Sequence, residues 1–182
     1  MNPPDRIILF LIALIFSSGY ATANPAILED LRQNIRRDYA DINHMQAEVL
    51  AGFLQDRKDI VIFDVREKAE YNVSHIPGSI RIDPGIGSNT FLKQHGERIT
   101  GKQVLFYCSV GVRSSRLAAR LAKDLKKLGA TDVHNLDGGL FHWHNLNQTL
   151  VNQKGTVPFI HPYNNRWGKL VRTPQLLRTR PE

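Results

Sequence analysis

Cys108 is the residue of this 182-residue chain whose neighbours most suggest covalent chemistry. It is the only cysteine and lies in the stretch FYCSVGVRSS, residues 106–115. A cysteine becomes a nucleophile when a cation or the N–H groups at a helix N-terminus stabilise its thiolate. Gly111 allows a tight backbone turn, Arg113 supplies a fixed cation, and Ser114 suits a helix N-cap. The spacing predicts an ionised Cys108 in an anion-binding turn, with a buried inert cysteine as the alternative.

The elements that must position this turn are short apolar strands alternating with helices. Residues 60–63 (IVIF) and 104–107 (VLFY) are continuously apolar, which is typical of strands covered on both faces, and 80–82 and 133–136 are weaker strand candidates. Helices are predicted near 67–72, 91–95 and 114–128. This alternation predicts an α/β fold with a central parallel sheet and helices on both faces.

In such a sheet, ligands bind where the parallel strands end. Asp64 and Arg66 follow one predicted strand and Cys108 follows the other. We therefore expect a carboxylate, two arginines (Arg66 and Arg113) and the thiol to converge at one edge. A structural ion pair between Asp64 and Arg66 is the alternative to contact with a substrate.

Three stretches in this order resemble the rhodanese family of single-domain sulfurtransferases. They are FDVREKAEYNVSHIPGSIRI (63–82), YCSVGVRSS (107–115) and LDGGLFHW (136–143), and the resemblance covers roughly residues 42–146. It implies a single rhodanese-like domain, a cysteine that carries sulfur as a persulfide, and loop amides that cradle that sulfur. From Cys108 to Arg113 the loop has six positions, the sulfurtransferase length, whereas related phosphatases have seven.

The resemblance predicts a thiosulfate-type sulfurtransferase with Cys108 as the catalytic residue. A small sulfur-containing anion would be the donor and a thiol or cyanide the acceptor; the alternative is a persulfide carrier or docking module with little turnover. Ser109 and Val110 stand where good thiosulfate users often carry cations, which leaves the donor open. The predicted substrate-binding residues are Ser109, Val110, Gly111, Val112, Arg113, Ser114, Asp64 and Arg66. No metal and no cofactor are expected.

The N-terminal residues predict export. Arg6 precedes the apolar run 7–16, and Ala21-Thr22-Ala23 has the small-x-small pattern of a signal peptidase site. We predict cleavage before Asn24 and a periplasmic or secreted protein, with a retained anchor as the alternative. The expected organisation is a signal peptide (1–23), an N-terminal helical extension (24–41), a rhodanese-like domain (42–150) and a basic C-terminal extension (151–182).

The C-terminal extension carries much of the net charge of +7, with six cations against one anion, Glu182. It could bind an acidic partner; predicted export and the absence of a recognition motif argue against nucleic acid. Residues 157–171 are too aromatic for a disordered tail. They either pack as an irregular strap across the domain or cover the mouth of the cysteine site.

Overall fold

A computed structural model of the protein describes residues 25–182. The predicted signal peptide and its cleavage site lie outside the described residues. Within residues 25–182, no helix has both the length and the apolar character needed to cross a bilayer.

Helices and strands alternate along the chain as the sequence predicts. The helices are α1 (Pro25–Asp38), α2 (Ala47–Gln55), α3 (Lys68–Val73), α4 (Ser88–His95), α5 (Val112–Lys127), α6 (Gly139–Asn145) and α7 (Asn165–Gly168). The strands are β1 (Asn43–Met45), β2 (Ile60–Asp64), β3 (Ile80–Arg81), β4 (Gln103–Tyr107), β5 (Asp132–Leu136), β6 (Leu150–Asn152) and β7 (Gly155–Val157).

The central sheet is parallel, with five strands in the order β1-β5-β4-β2-β3. β6 and β7 form a separate antiparallel pair. The predicted α/β fold is confirmed, including the weaker strands β3 and β5. β4 lies at the centre, where it pairs with β2 and β5, so the residues that follow it leave the sheet at its most buried strand.

Alternate residues of β4 point into two separate cores, one on each face of the sheet. Leu105 and Tyr107 pack with α1, α2, α6 and part of the C-terminal extension. Val104 and Phe106 pack with α4 and α5. Since β4 is buried on both faces, its sequence is continuously apolar rather than alternating.

Helix α5 begins two residues earlier than predicted, at Val112. Gly111 is its N-cap and has φ 106°, a left-handed conformation that favours glycine. The prediction that Ser114 caps this helix is wrong, because Ser114 already lies in its first turn. The Ser114 hydroxyl instead donates a 2.6 Å hydrogen bond to Asn135 Oδ1, which ties α5 to β5.

Candidate active site

Cys108 lies directly after β4, and its loop passes into α5. The side chain is buried, with 1% exposure. Its sulfur accepts a hydrogen bond from the Gly111 backbone N–H at 3.2 Å. The turn thus directs at least one peptide N–H toward the sulfur, as expected for a loop at the N-terminus of a helix.

The surroundings of the sulfur favour the thiolate. Burial by itself raises the pKa of Cys108, but the charge of the Arg113 guanidinium and the backbone N–H groups of Ser114 and Val110 lower it by more than burial raises it. The net result is a pKa below that of an ordinary cysteine. A thiolate is the nucleophilic form of cysteine, so this loop can support covalent chemistry.

Arg113 is fixed by a buried carboxylate, Glu70, the third residue of α3. Its Nη1 and Nη2 each donate to a different Glu70 oxygen at 2.9 Å, and the Ser109 hydroxyl donates to the same carboxylate at 2.9 Å. Burial raises the pKa of Glu70, but the bonds and charge of Arg113 lower it below its usual value. The carboxylate therefore stays ionised and orients both Arg113 and Ser109.

Two consecutive glycines hold the cysteine loop from the other side. Gly138 and Gly139 both have positive φ and lead into α6. The free N–H groups of the first turn donate to the loop carbonyls, Leu140 N to Cys108 O and Phe141 N to Ser109 O, each at 2.9 Å. A Cβ at Gly139 would lie 2.5 Å from Cys108 O, so the close approach requires glycine.

A cavity of about 160 Å³ lies above the cysteine. It is lined by Cys108, Ser109, Val110, Val112, Arg113, Tyr163 and Trp167. Tyr163 and Trp167 belong to the C-terminal extension, which also buries Ile160 and Leu170 in the core. Both interpretations of the aromatic segment are therefore confirmed: it packs across the domain and it covers the cysteine mouth.

Asp64 and Arg66 lie at the end of β2 but do not line this cavity. Both side chains have 0% exposure and form a bidentate ion pair, with Arg66 Nη2 2.6 Å from Asp64 Oδ2. Arg66 Nη2 also donates to Ser74 O at 2.7 Å. The predicted ion pair is confirmed. Because it is fully buried, it stabilises the end of β2 and does not contact a ligand in the cavity.

The other predicted site residues divide between the wall of the cavity and its support. Ser109, Val110, Val112 and Arg113 line the cavity with Cys108, whereas Gly111 and Ser114 form the turn behind it. Three further residues complete the arrangement: Glu70, which the sequence does not single out, and Tyr163 and Trp167 of the aromatic segment 157–171. Nothing local marks Glu70, because its partner Arg113 is 43 positions away.

A cysteine with a lowered pKa lies between the central strand and a helix, beside an arginine that a buried carboxylate holds in place. This arrangement is typical of α/β enzymes that use a cysteine in a strand-to-helix loop. A family model described as Rhodanese-like domain matches residues 46–146, more than half of the chain. The chain belongs to the rhodanese family, and the prediction of that family is confirmed.

Curated relatives share this domain. A tRNA uridine(34) hydroxylase from Shouchella clausii is 35% identical over 85 residues, which cover 46% of this chain and 25% of the relative. One from Cytophaga hutchinsonii is 28% identical over 131 residues, 70% of this chain and 40% of the relative. The crystal structure of a thiosulfate sulfurtransferase from Pseudomonas aeruginosa aligns with TM-score 0.48 and 24% identity over 61% of this chain and 20% of that chain. The chain thus spans less than half the length of these proteins.

The relatives correct the predicted function. The sequence-based prediction was sulfur transfer from a donor such as thiosulfate through a persulfide on Cys108, or a persulfide carrier. That prediction is wrong, because the curated relatives carry the name of a tRNA-modifying enzyme. The physical reason is that such a loop stabilises a cysteine thiolate whichever electrophile the sulfur attacks. The motif therefore identifies a rhodanese-domain enzyme without fixing its substrate.

Proposed function

We propose that this protein is a rhodanese-domain enzyme that modifies a uridine of tRNA, with Cys108 as its nucleophile. The observation that carries the proposal is the Cys108 sulfur at the wall of a cavity, with a lowered pKa and a hydrogen bond from Gly111. The names of the relatives supply the substrate class. Arg113 is the cation of the site, and Glu70 is its positioning residue.

The proposed covalent step is an addition to the uracil ring. The C5–C6 double bond of uracil is conjugated with the carbonyl at C4, so a thiolate adds at C6. The S–C6 bond forms, the π bond between C5 and C6 breaks, and its electron pair moves to the C4 oxygen as an enolate. Arg113 and the loop amides of Ser109 to Val112 stabilise that charge. The adduct is electron-rich at C5, so C5 attacks an external two-electron oxidant that delivers an oxygen atom, and a C5–O bond forms. Loss of the C5 proton to solvent with expulsion of the thiolate from C6 then restores the C5–C6 double bond and regenerates Cys108.

Charge on the C-terminal extension supports an RNA substrate. Arg166, Lys169 and Arg172 are exposed and form no ion pair with residues of the described range 25–182. Exposed cations attract phosphates and release counterions on binding. We therefore propose that the acidic partner of the basic extension is RNA, in place of the expectation that the protein binds no nucleic acid.

A tRNA carrying 5-fluorouridine at position 34 tests the proposal. The electron-withdrawing fluorine favours thiolate addition at C6, and because it cannot leave C5 as a cation it cannot replace the C5 proton whose loss releases the thiolate after C5 has reacted. We expect a covalent protein–RNA band on a denaturing gel with the full chain and none with Cys108→Ser. Folded wild-type protein that binds the tRNA without forming this band would refute the nucleophilic role. A thiosulfate-dependent gain of one sulfur on Cys108, with no RNA adduct, would refute the substrate class.

The cellular location gives a second test. Export before Asn24 remains a prediction for residues 1–23, and an exported bacterial protein would not meet tRNA. Cell fractionation with mass spectrometry of the intact chain separates the two proposals. A cytoplasmic chain supports the tRNA substrate, whereas a periplasmic chain that begins at Asn24 overturns it.

A further inference from the structure

Two aromatic side chains of the C-terminal extension form part of the cavity wall opposite the cysteine loop. Tyr163 and Trp167 line the cavity together with Cys108 and Arg113. Both lie outside residues 46–146, which match the family model. This aromatic wall is therefore an addition of this chain's C-terminal extension to the common domain.

Tyr163 is held in place against its conformational preference. Its φ is 63°, in the left-handed region that non-glycine residues rarely adopt, and its N–H donates to His161 Nδ1 at 3.0 Å. The side chain is nevertheless 46% exposed, and its ring centre lies 4.8 Å from Arg113 Cζ. An exposed ring fixed over the cation of the site is placed to contact a ligand rather than to fill a core.

Trp167 is anchored from its own backbone. Asn164 caps α7, and its Oδ1 accepts the N–H groups of Arg166 and Trp167, each at 3.0 Å. The Trp167 side chain is half-buried and packs on the core that contains Leu170. The indole is therefore fixed on one side by the protein while it lines the cavity on the other.

The size and chemistry of the cavity suit one planar ring. A cavity of about 150 Å³ is large enough to bind benzene, and this one has about 160 Å³. Nucleobases that proteins read singly are stacked on aromatic side chains and contacted by arginine. A uracil ring here would meet the Cys108 sulfur, the Arg113 guanidinium and two aromatic rings at once.

We propose that Tyr163 and Trp167 bind the uracil ring of the substrate and hold it against Cys108. The identity of the ring rests on the proposed function, whereas its planar, aromatic-stacking character rests on the cavity itself. Exposed Arg166, next to Trp167 in the chain, is available for the phosphate of the same nucleotide. The C-terminal extension is therefore the specificity element of the site.

Intrinsic fluorescence of the full-length chain tests this. The chain has two tryptophans, and Trp143 is buried in the core with 1% exposure, so Trp167 is the one that a ligand can reach. We expect uridine 5′-monophosphate to quench the emission of the Cys108→Ser protein, with ribose 5-phosphate as the control that lacks a ring. Trp167→Phe should abolish the quenching.

The variants of Tyr163 decide the outcome. Loss of one stacking contact corresponds to a weakening of about fivefold or more, so Tyr163→Ala should raise the Kd by at least that factor. Tyr163→Phe keeps the ring and should bind as the parent does. Phe159→Ala, in the same segment but outside the cavity lining, is the matched control and should leave the Kd unchanged.

Several results would overturn the inference. They are no quenching by uridine 5′-monophosphate, equal affinity for ribose 5-phosphate, or an unchanged Kd in Tyr163→Ala. The fluorescence assay needs no turnover, so it separates this inference from the proposed function. Ring binding without a 5-fluorouridine adduct would refute only the nucleophilic role of Cys108. An adduct whose formation does not depend on Tyr163 would refute only the ring site.

Discussion

Substitution of Gly139 by alanine should damage the cysteine loop more than the same change at another left-handed glycine. At Gly139, with φ 58°, a new Cβ would lie 2.5 Å from Cys108 O and 2.8 Å from the carbonyl carbon of Ser109. Gly78 is the matched control, because it has φ 75° and no heavy atom within 4 Å of the added Cβ. Both variants strain the backbone, but only Gly139→Ala also forces two segments of backbone apart.

The difference between the two variants follows from that geometry. The left-handed conformation costs a non-glycine residue about 1–3 kcal/mol at either position. Overpacking against rigid neighbours adds about 1–3 kcal/mol at Gly139 alone. For a protein of this size, 1 kcal/mol shifts Tm by about 2–4 °C, so Gly139→Ala should melt about 2–12 °C below Gly78→Ala.

Urea unfolding and thermal melts of the two variants measure this difference directly. The rate of iodoacetamide labelling of folded Gly139→Ala gives a second readout, since displacement of Leu140 N from Cys108 O should alter the loop around the sulfur. Equal free energies of unfolding for the two variants would refute the close approach of α6 to the loop as a source of stability. An unchanged labelling rate would show that the close packing of α6 on the loop does not affect the reactivity of Cys108.

Two further predictions concern charge. Against the effect of burial, the folded protein lowers the pKa of the Cys108 thiol, chiefly through the charge of Arg113. The resulting stabilisation is fully present above the unfolded-state pKa and is lost as the pH falls through the folded-state pKa. Iodoacetamide labelling of folded protein should therefore reach half its maximal rate at a lower pH than labelling of the urea-unfolded chain, and Arg113→Met should move that midpoint upward; an unmoved midpoint would remove Arg113 as the cause. Asp64→Asn leaves Arg66 buried without its counterion and should lower the free energy of unfolding by about 3–5 kcal/mol. Asp83→Asn, in an exposed pair, should change it by at most about 1 kcal/mol, and similar losses for both variants in urea would contradict the assignment.

The buried strands could be predicted from the sequence because burial on both faces leaves a local signature. β2 and β4 are continuous apolar runs, and their order with the intervening helices specifies a parallel sheet. The edge strand β1 could not be found this way, since its three residues are NHM and its pairing with β5 supplies the structure. The β6–β7 pair is also too short to stand out, since three residues in each strand cannot show an alternating pattern.

The same contrast holds for the site: the sequence predicts its contiguous part but not the residues that distant segments bring to it. The positions from Cys108 to Arg113 are contiguous, so their spacing alone predicts a turn that stabilises a thiolate. Glu70 and Tyr163 reach this turn only through the folded chain. Glu70 has no distinctive sequence context, whereas the aromatic composition of residues 157–171 marks the segment of Tyr163 without showing which residue meets Arg113. The substrate was predicted wrongly because the loop residues determine the state of the sulfur and not the molecule that enters above it.

Since the proposed nucleophile, Cys108, and the aromatic wall of Tyr163 and Trp167 occupy separate stretches of the polypeptide, substitutions can change one without changing the other. Residues 158–178 can acquire substitutions around Tyr163 and Trp167 while the hydrogen-bonded frame of Cys108 stays intact. If Tyr163 and Trp167 bind the ring as proposed, grafting that stretch onto another member of the family would transfer the ligand preference without changing the cysteine loop. Under the proposed roles, new specificities could therefore arise by substitution in a short stretch of the chain while the cysteine loop stays unaltered.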